Sequence, residues 1–301
     1  MGRLFLHIGY PKAGSSALQT ALLASRARLR RHGIFFPNAA DGLCNAFTAR
    51  FHDEPATLHP YVAISDPSQR ADAIARDSER LFRRVAQNSA DTVILSSESL
   101  IGLDAEAVRA VRRWAAEHFE AVLILCYVRE PVSYATSLTQ ERVKQGLSLR
   151  EACEMTPTGN FAVSIPKWVD AFGAAAVRVR SVEALPGRDV VSDVFGLMGC
   201  DGPAGRAGYA NPAMSAEATR MIGAIHALDA KAPGWLRALP GTVFRLPDEM
   251  IERVRAQAAP GLAYLAAEWG ITFDAPGPVP PEDMALGERT LAYLAEHLAV
   301  R

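Results

Sequence analysis

The chain is short of cysteine, of long apolar runs and of net charge, and each shortage excludes a class of protein. Its 301 residues include 4 cysteines, at 44, 126, 153 and 200, and no two of them form a CxxC pair. The spacing therefore gives no basis for a zinc finger or a thioredoxin-like redox site, and free or buried thiols in a reducing compartment are expected. The apolar run Ala121–Val128 is eight residues long, well short of the roughly 20 that a membrane helix needs. Cys126 lies inside it and reads as a core-strand residue. Only three residues precede the apolar segment LFLHI, which leaves no room for the charged and apolar regions of a signal peptide, so a cytoplasmic location is expected. Lys+Arg total 32 against 33 Asp+Glu, a net charge of −1. That speaks against a basic nucleic-acid binder, although a local cationic pocket can hide inside a neutral total. Arginine far outnumbers lysine and alanine is abundant, as in proteins of GC-rich bacterial genomes.

What is present is an ordinary globular composition. With 49% hydrophobic and 22% charged residues, the chain is not a disordered tail and is long enough to bury a sizeable core. Strand and helix patterns alternate along it. Leu4–Ile8 is a short strand, the turn GYPKAGSS follows, and Ala17–Arg31 has helical period. Residues 33–37 look extended, and 38–68 form a long irregular region. A charged amphipathic helix over 69–89 leads to the strand Thr92–Leu95, then a helix near 105–118 to the strand Val122–Val128. Pro131 suits a first helical position, and Gly146 ends the helix it opens. A helix near 164–172, a strand over 176–180 and a helix over 189–198 follow. From about 211 the pattern is almost wholly helical. The prediction is an α/β, P-loop-like, three-layer domain: a mostly parallel central sheet flanked by helices, with a helical C-terminal extension. It is read as a single domain over 1–301, the core about 1–200 and the helical elaboration about 211–301.

Three segments carry chemistry. In His7-Ile-Gly-Tyr-Pro-Lys-Ala-Gly-Ser-Ser16 a strand runs through a glycine-containing turn into a helix N-terminus, where open backbone N–H groups and the helix dipole favour an anion. Gly9 and Gly14 have the Walker A spacing, but Ser15 stands where an NTPase has its lysine, and the cation is Lys12 in the loop. In Tyr127-Val-Arg-Glu-Pro-Val-Ser-Tyr-Ala-Thr-Ser137, Arg129 ends a strand at the edge where open α/β sheets bind ligands, and its planar fork suits phosphate. In Thr92-Val-Ile-Leu-Ser-Ser-Glu-Ser99, Glu98 emerges at the same kind of edge, a place for a general base. Each segment alone has an ordinary alternative: a turn with a solvated lysine, Arg129 paired with Glu130 while Ser133 caps its helix, and a solvated Glu98. His7, inside an apolar strand, reads as a packed core residue.

Taken together, the segments resemble a known family. HIGYPKAGSSALQ resembles the 5′-phosphosulfate-binding loop of sulfotransferases that use 3′-phosphoadenosine 5′-phosphosulfate (PAPS). YVREPVSYATS resembles that family's 3′-phosphate-binding strand and helix, in the family's order. GIFFP, ILSSESL, QERVKQGLSL, FAVSIPKWVDAFG and VRVRSVEAL look like bacterial, carbohydrate-type members, so the likeness covers roughly residues 3–215. It implies that Lys12 binds the 5′-phosphosulfate and stabilises charge on the bridging oxygen, with Ala13, Gly14, Ser15 and Ser16 in the cradle. Arg129 and Ser137 are implied as holders of the 3′-phosphate, with Arg206 of GPAGRAG as a further contact. The implied base is Glu98, preferred over His52, Asp53, Glu54 and His59 of the region after the first helix. Two features depart from the cytosolic small-molecule branch: Ala17 replaces the aromatic residue that stacks on adenine there, and no clear GxxGxxK segment is present.

The implied reaction is in-line sulfuryl transfer to an acceptor hydroxyl, on a small molecule or a saccharide, leaving adenosine 3′,5′-bisphosphate. A sulfuryl group carries less charge than a phosphoryl group, so no metal is required, in contrast to NTPases. No nucleic-acid partner and no membrane span are expected. A P-loop kinase would need Gly-Lys-Ser/Thr at 14–16 and a metal-holding Asp, and a catalytically silent nucleotide-binding module would tolerate loss of Glu98. Arg142, Lys144 and Lys167 read as solvated helix charges, or else as contacts to an anionic acceptor. Trp168 reads as core. The stripe Leu291, Leu294 and Leu298 either packs on the sheet or makes a homodimer contact.

Overall fold

The computed structural model describes residues 2–37, 45–155, 160–202, 213–274, 289–290, 293 and 296. In chain order the elements begin with β1 Gly2–Gly9, α1 Ser15–Ala24, α2 Arg26–Arg31, β2 Ile34–Phe35, α3 Ala46–Ala49, α4 Pro67–Ala86, β3 Thr92–Ser96 and α5 Ala105–His118. They continue with β4 Phe119–Val128, α6 Pro131–Lys144, α7 Leu149–Glu154, α8 Phe161–Ser164, α9 Pro166–Phe172, β5 Val177–Ser181 and α10 Val190–Leu197. The last two are α11 Ala216–His226 and α12 Asp248–Trp269. The chain forms two compact units, Met1–Arg129 with Phe161–Ala210, and Glu130–Asn160 with Asn211–Arg301. The second unit thus takes in 130–160 as well as the helical C-terminal region.

The first unit is the α/β layer structure. Its five strands lie in the order β2-β3-β1-β4-β5, and every pairing is parallel. This is the mostly parallel, helix-flanked sheet that the alternation of patterns predicted. Both faces of β1 and β4 are covered, which is why LFLHI and LILCYV read as unbroken apolar runs: Leu4, Leu6, Ile8, Ile124 and Cys126 are fully buried. From β1 the chain runs out to the edge strand β2, returns to β3, and then crosses β1 to reach β4. The strand order therefore reverses at β1, and a ligand crevice is expected outside the carboxyl ends of β1, β3 and β4.

Helix ends follow local signals. Asp66 and Asp104 accept the Gln69 and Ala107 amides, capping α4 and α5, with Pro67 opening α4. The helix expected over Ala17–Arg31 is divided. Ser25 leaves helical geometry at φ −94°, ψ 5°, and its hydroxyl accepts from the Arg28 guanidinium at 3.2 Å. The region 38–68, expected to be irregular, contains the short α3 and single helical turns at Pro55–Thr57 and Tyr61–Ala63.

The second unit is helical. Glu130 caps α6 by accepting the Val132 and Ser133 amides, so the cap is Glu130 and not Ser133, and Pro131 opens the helix. Gly146 leaves it at φ +113°. Ser148 and Glu151 form a reciprocal capping box on α7. Two apolar clusters hold the unit together, one around Val132, Phe244, Met250 and Ile251, the other around Val143, Met214, Ile222 and Leu236. Among the described residues no helix is long and apolar enough to cross a membrane. Leu291, Leu294 and Leu298 lie outside the described residues.

Candidate functional site

The β1–α1 turn is built by backbone conformation. On β1, His7 pairs with Leu125 and Gly9 with Cys126, so Ile8 is an extra residue that kinks the strand just before the turn. Gly9 follows at φ +114°, and a Cβ there would lie 3.0 Å from the Glu98 carbonyl oxygen. The close approach of the two segments thus depends on glycine. Lys12 is held at φ +60°, a left-handed conformation that a side-chain-bearing residue rarely adopts and that recurs at ligand sites. Gly14 at φ +94° then starts α1, and a Cβ there would meet Val190 of α10 at 3.1 Å. Among the described residues no side chain caps α1, and its first turn holds no acidic residue. Its leading N–H groups have no intrahelical partners, so they are suited to an anion. Buried Ser15 donates to the Tyr10 carbonyl at 3.4 Å, Ala13 is fully buried, and Ser16 is exposed.

The other two segments reach the same edge. Arg129 follows β4, is half-buried, and its Nη1 donates to the Lys12 carbonyl at 3.1 Å. The arginine and the lysine of two motifs separated by more than a hundred residues are thereby tied together. Glu98 follows β3, half-buried, and its Oε2 accepts from Gln19 Nε2 of α1 at 3.0 Å. The same amide nitrogen lies 3.3 Å from Ser96 Oγ, which lies 2.8 Å from Nδ1 of the fully buried His7. Burial pulls the His7 pKa down to about 4, so the ring is neutral at neutral pH. Ser97 donates to Asn45 Oδ1 at 2.7 Å and pairs with Thr48 Oγ1 at 2.8 Å, which docks α3 beside Glu98.

The remaining sequence-predicted residues have settings of their own. His52, one turn beyond Thr48, accepts the Glu54 amide at Nδ1. With Phe82 and Trp114 it lines a groove of about 1370 Å³ between α4 and α5. Ser137 lies on α6 in the second unit, half-buried. Arg206 lies outside the described residues. The Lys167 ammonium donates to the Leu103 carbonyl, and burial lowers its pKa, so it serves as an internal tie. Trp168 is fully buried, as expected, and burial pushes the Cys126 thiol up, leaving it protonated and inert. Tyr127 donates to Asp193 at 2.6 Å, and Asp193 also pairs with Arg180, fixing α10 against β4 and β5.

Sequence reasoning missed Gln19, Ser96, Thr48 and Asn45. Gln19 was within reach of it: four residues after Ser15, it stands on the same helix face as the cradle. Asn45 and Thr48 carry no pattern of their own, because a fold contact alone brings them to Ser97.

No protein-family model matches the chain, and neither does any curated protein. Among solved structures, the chain is similar to a sulfotransferase from Alicyclobacillus acidocaldarius at 17% identity and a TM-score of 0.50, covering 89% of this chain and 96% of that one. At such low identity the likeness establishes the shared architecture, an α/β, P-loop-like sheet flanked by helices.

Proposed function

We propose that the chain is a sulfotransferase that moves a sulfuryl group from PAPS to an acceptor hydroxyl, on a saccharide or a glycosylated product, and releases adenosine 3′,5′-bisphosphate. The observation that carries this reading is the meeting of three motifs at the carboxyl edge of β3, β1 and β4. The uncapped N-terminus of α1, the Lys12 loop tied to Arg129, and Glu98 against Gly9 all lie there. The donor supplies an activated sulfuryl group, and the chain's own groups do the rest. First-turn N–H groups with Ser15 and Ser16 hold the 5′ end. Lys12 meets the negative charge that grows on the bridging oxygen, a contribution of roughly 10²–10³-fold for a placed donor. Arg129 takes the 3′-phosphate through charge-assisted bonds. Glu98 removes the acceptor proton as the new S–O bond forms, worth roughly 10²–10⁴-fold.

Glu98 is favoured over His52 as the base because it stands at the edge that holds Lys12, whereas His52 lines the α4–α5 groove and is engaged by the Glu54 amide. The low charge of the sulfuryl group supports metal-independent transfer. The buried, free Cys126, Cys153 and Cys200 are compatible with a cytoplasmic setting. Calorimetry with adenosine 3′,5′-bisphosphate, and transfer of label from PAPS to a panel of hydroxylated acceptors with chelator present, test the reading. Saturable binding and labelled product are expected. Absence of both overturns it.

A further inference from the structure

Gln19, Ser96 and His7 form a hydrogen-bonded chain that ends on Glu98, and the donor rules fix the direction of its Gln19 end. The Gln19 amide nitrogen only donates, and it contacts Glu98 Oε2 at 3.0 Å and Ser96 Oγ at 3.3 Å. A carboxylate only accepts, which sets the amide with its nitrogen toward Glu98. Ser96 Oγ, accepting from Gln19, also bonds His7 Nδ1 at 2.8 Å, as donor or acceptor according to the histidine tautomer. His7 Nε2 is buried and, among the described residues, has no hydrogen-bond partner. A fully buried imidazole with one orphaned nitrogen is a costly arrangement, and packing alone does not call for it in an apolar strand.

We infer that Gln19 is a positioning residue for Glu98: it occupies Oε2, leaves Oε1 to take the acceptor's proton, and is itself locked by Ser96 and His7. This rests on the sulfotransferase reading with Glu98 as base. The lock spans three elements, α1, β3 and β1. The helix that cradles the donor therefore also orients the base, and the two ends of the reaction share one rigid support.

The test uses Gln19→Glu, which keeps the shape but replaces the donor with an acceptor, and Gln19→Leu, which removes it. Both are expected to lower kcat about 10- to 100-fold, the scale for a misoriented catalytic group. The KM for PAPS and the calorimetric affinity for adenosine 3′,5′-bisphosphate should stay at wild-type values. In a Glu98→Gln background neither change should lower the residual rate further, because the group being oriented is gone. Wild-type kcat in Gln19→Glu, or an undiminished loss in the Glu98→Gln background, overturns the inference. Wild type that neither binds the bisphosphate nor transfers label overturns the sulfotransferase reading itself, and this result is obtained before any Gln19 variant is made.

Discussion

The two units use their polar residues in opposite ways. In the first, polar groups are collected at one sheet edge: Lys12 in a left-handed turn, Arg129 on its carbonyl, and Glu98 held by Gln19. In the second, polar side chains mostly finish helices or bind backbone: Glu130 and Ser148 cap α6 and α7, Ser215 caps α11, and Gln140 donates to the Met214 carbonyl. One unit spends conformational strain and buried polarity on placing a few groups, whereas the other satisfies its backbone and lets apolar packing do the rest. Changes in the first should therefore separate activity from stability, and changes in the second should not.

The widest test of that contrast sets Lys12→Ala against Phe244→Ala. Lys12→Ala should lower kcat by roughly 10²–10³-fold while leaving the urea midpoint at its wild-type value. Phe244, buried in the apolar cluster with Met250 and Ile251, should cost about 3–5 kcal/mol of stability on truncation to Ala. The fraction that stays folded should keep its affinity for adenosine 3′,5′-bisphosphate. Denaturation curves and calorimetry on both variants check this. A Lys12 variant as unstable as the Phe244 variant would erase the distinction.

The sequence made this contrast partly readable. Parallel strands buried on both faces leave apolar runs, so β1, β3, β4 and β5 were visible, and Pro131 and Gly146 marked the two ends of α6. The glycine turn, Arg129 and Glu98 were visible because chemistry at a sheet's carboxyl edge needs those residue types at strand ends. The Gln19–Ser96–His7 chain was not, since it joins residues up to 89 positions apart and only the strand order β3-β1 makes them neighbours. The split of the periodic stretch at Ser25 was hidden for a different reason: hydrophobic period continues across it, and only a local hydroxyl contact departs from the helix. The long irregular region likewise hid α3, whose four residues are too few to show a period.

His7 gives a pH-dependent form of the same contrast. Its folded-state pKa of about 4 lies below the ordinary histidine value of 6.5. Between these values the unfolded chain binds a proton at this position that the folded protein does not, so stability falls as pH falls through that window. The full loss is about 3 kcal/mol at acid pH and vanishes above pH 6.5. Urea titrations of wild type and His7→Gln at a series of pH values should give a shallower pH slope for the variant. Equal slopes would mean that the buried imidazole carries no such penalty.

The smallest effects give the most even comparison, because the same kind of interaction can be removed from each unit. Ser148 caps α7 in the second unit, and Asp189 caps α10 in the first, accepting the Ser192 amide at 3.1 Å and its hydroxyl at 2.7 Å. Replacing either with Ala should cost about 1 kcal/mol of stability, the usual scale for a lost cap. The functional outcomes should differ. Val190 is the first residue of α10, and its side chain is what a Cβ on Gly14 would strike. Loosening that helix end therefore frees the packing under the anion cradle. Asp189→Ala should weaken binding of adenosine 3′,5′-bisphosphate severalfold, while Ser148→Ala leaves it unchanged, as read by calorimetry on the folded proteins. If both weaken binding equally, the cradle responds to global stability and not to the helix packed beneath it.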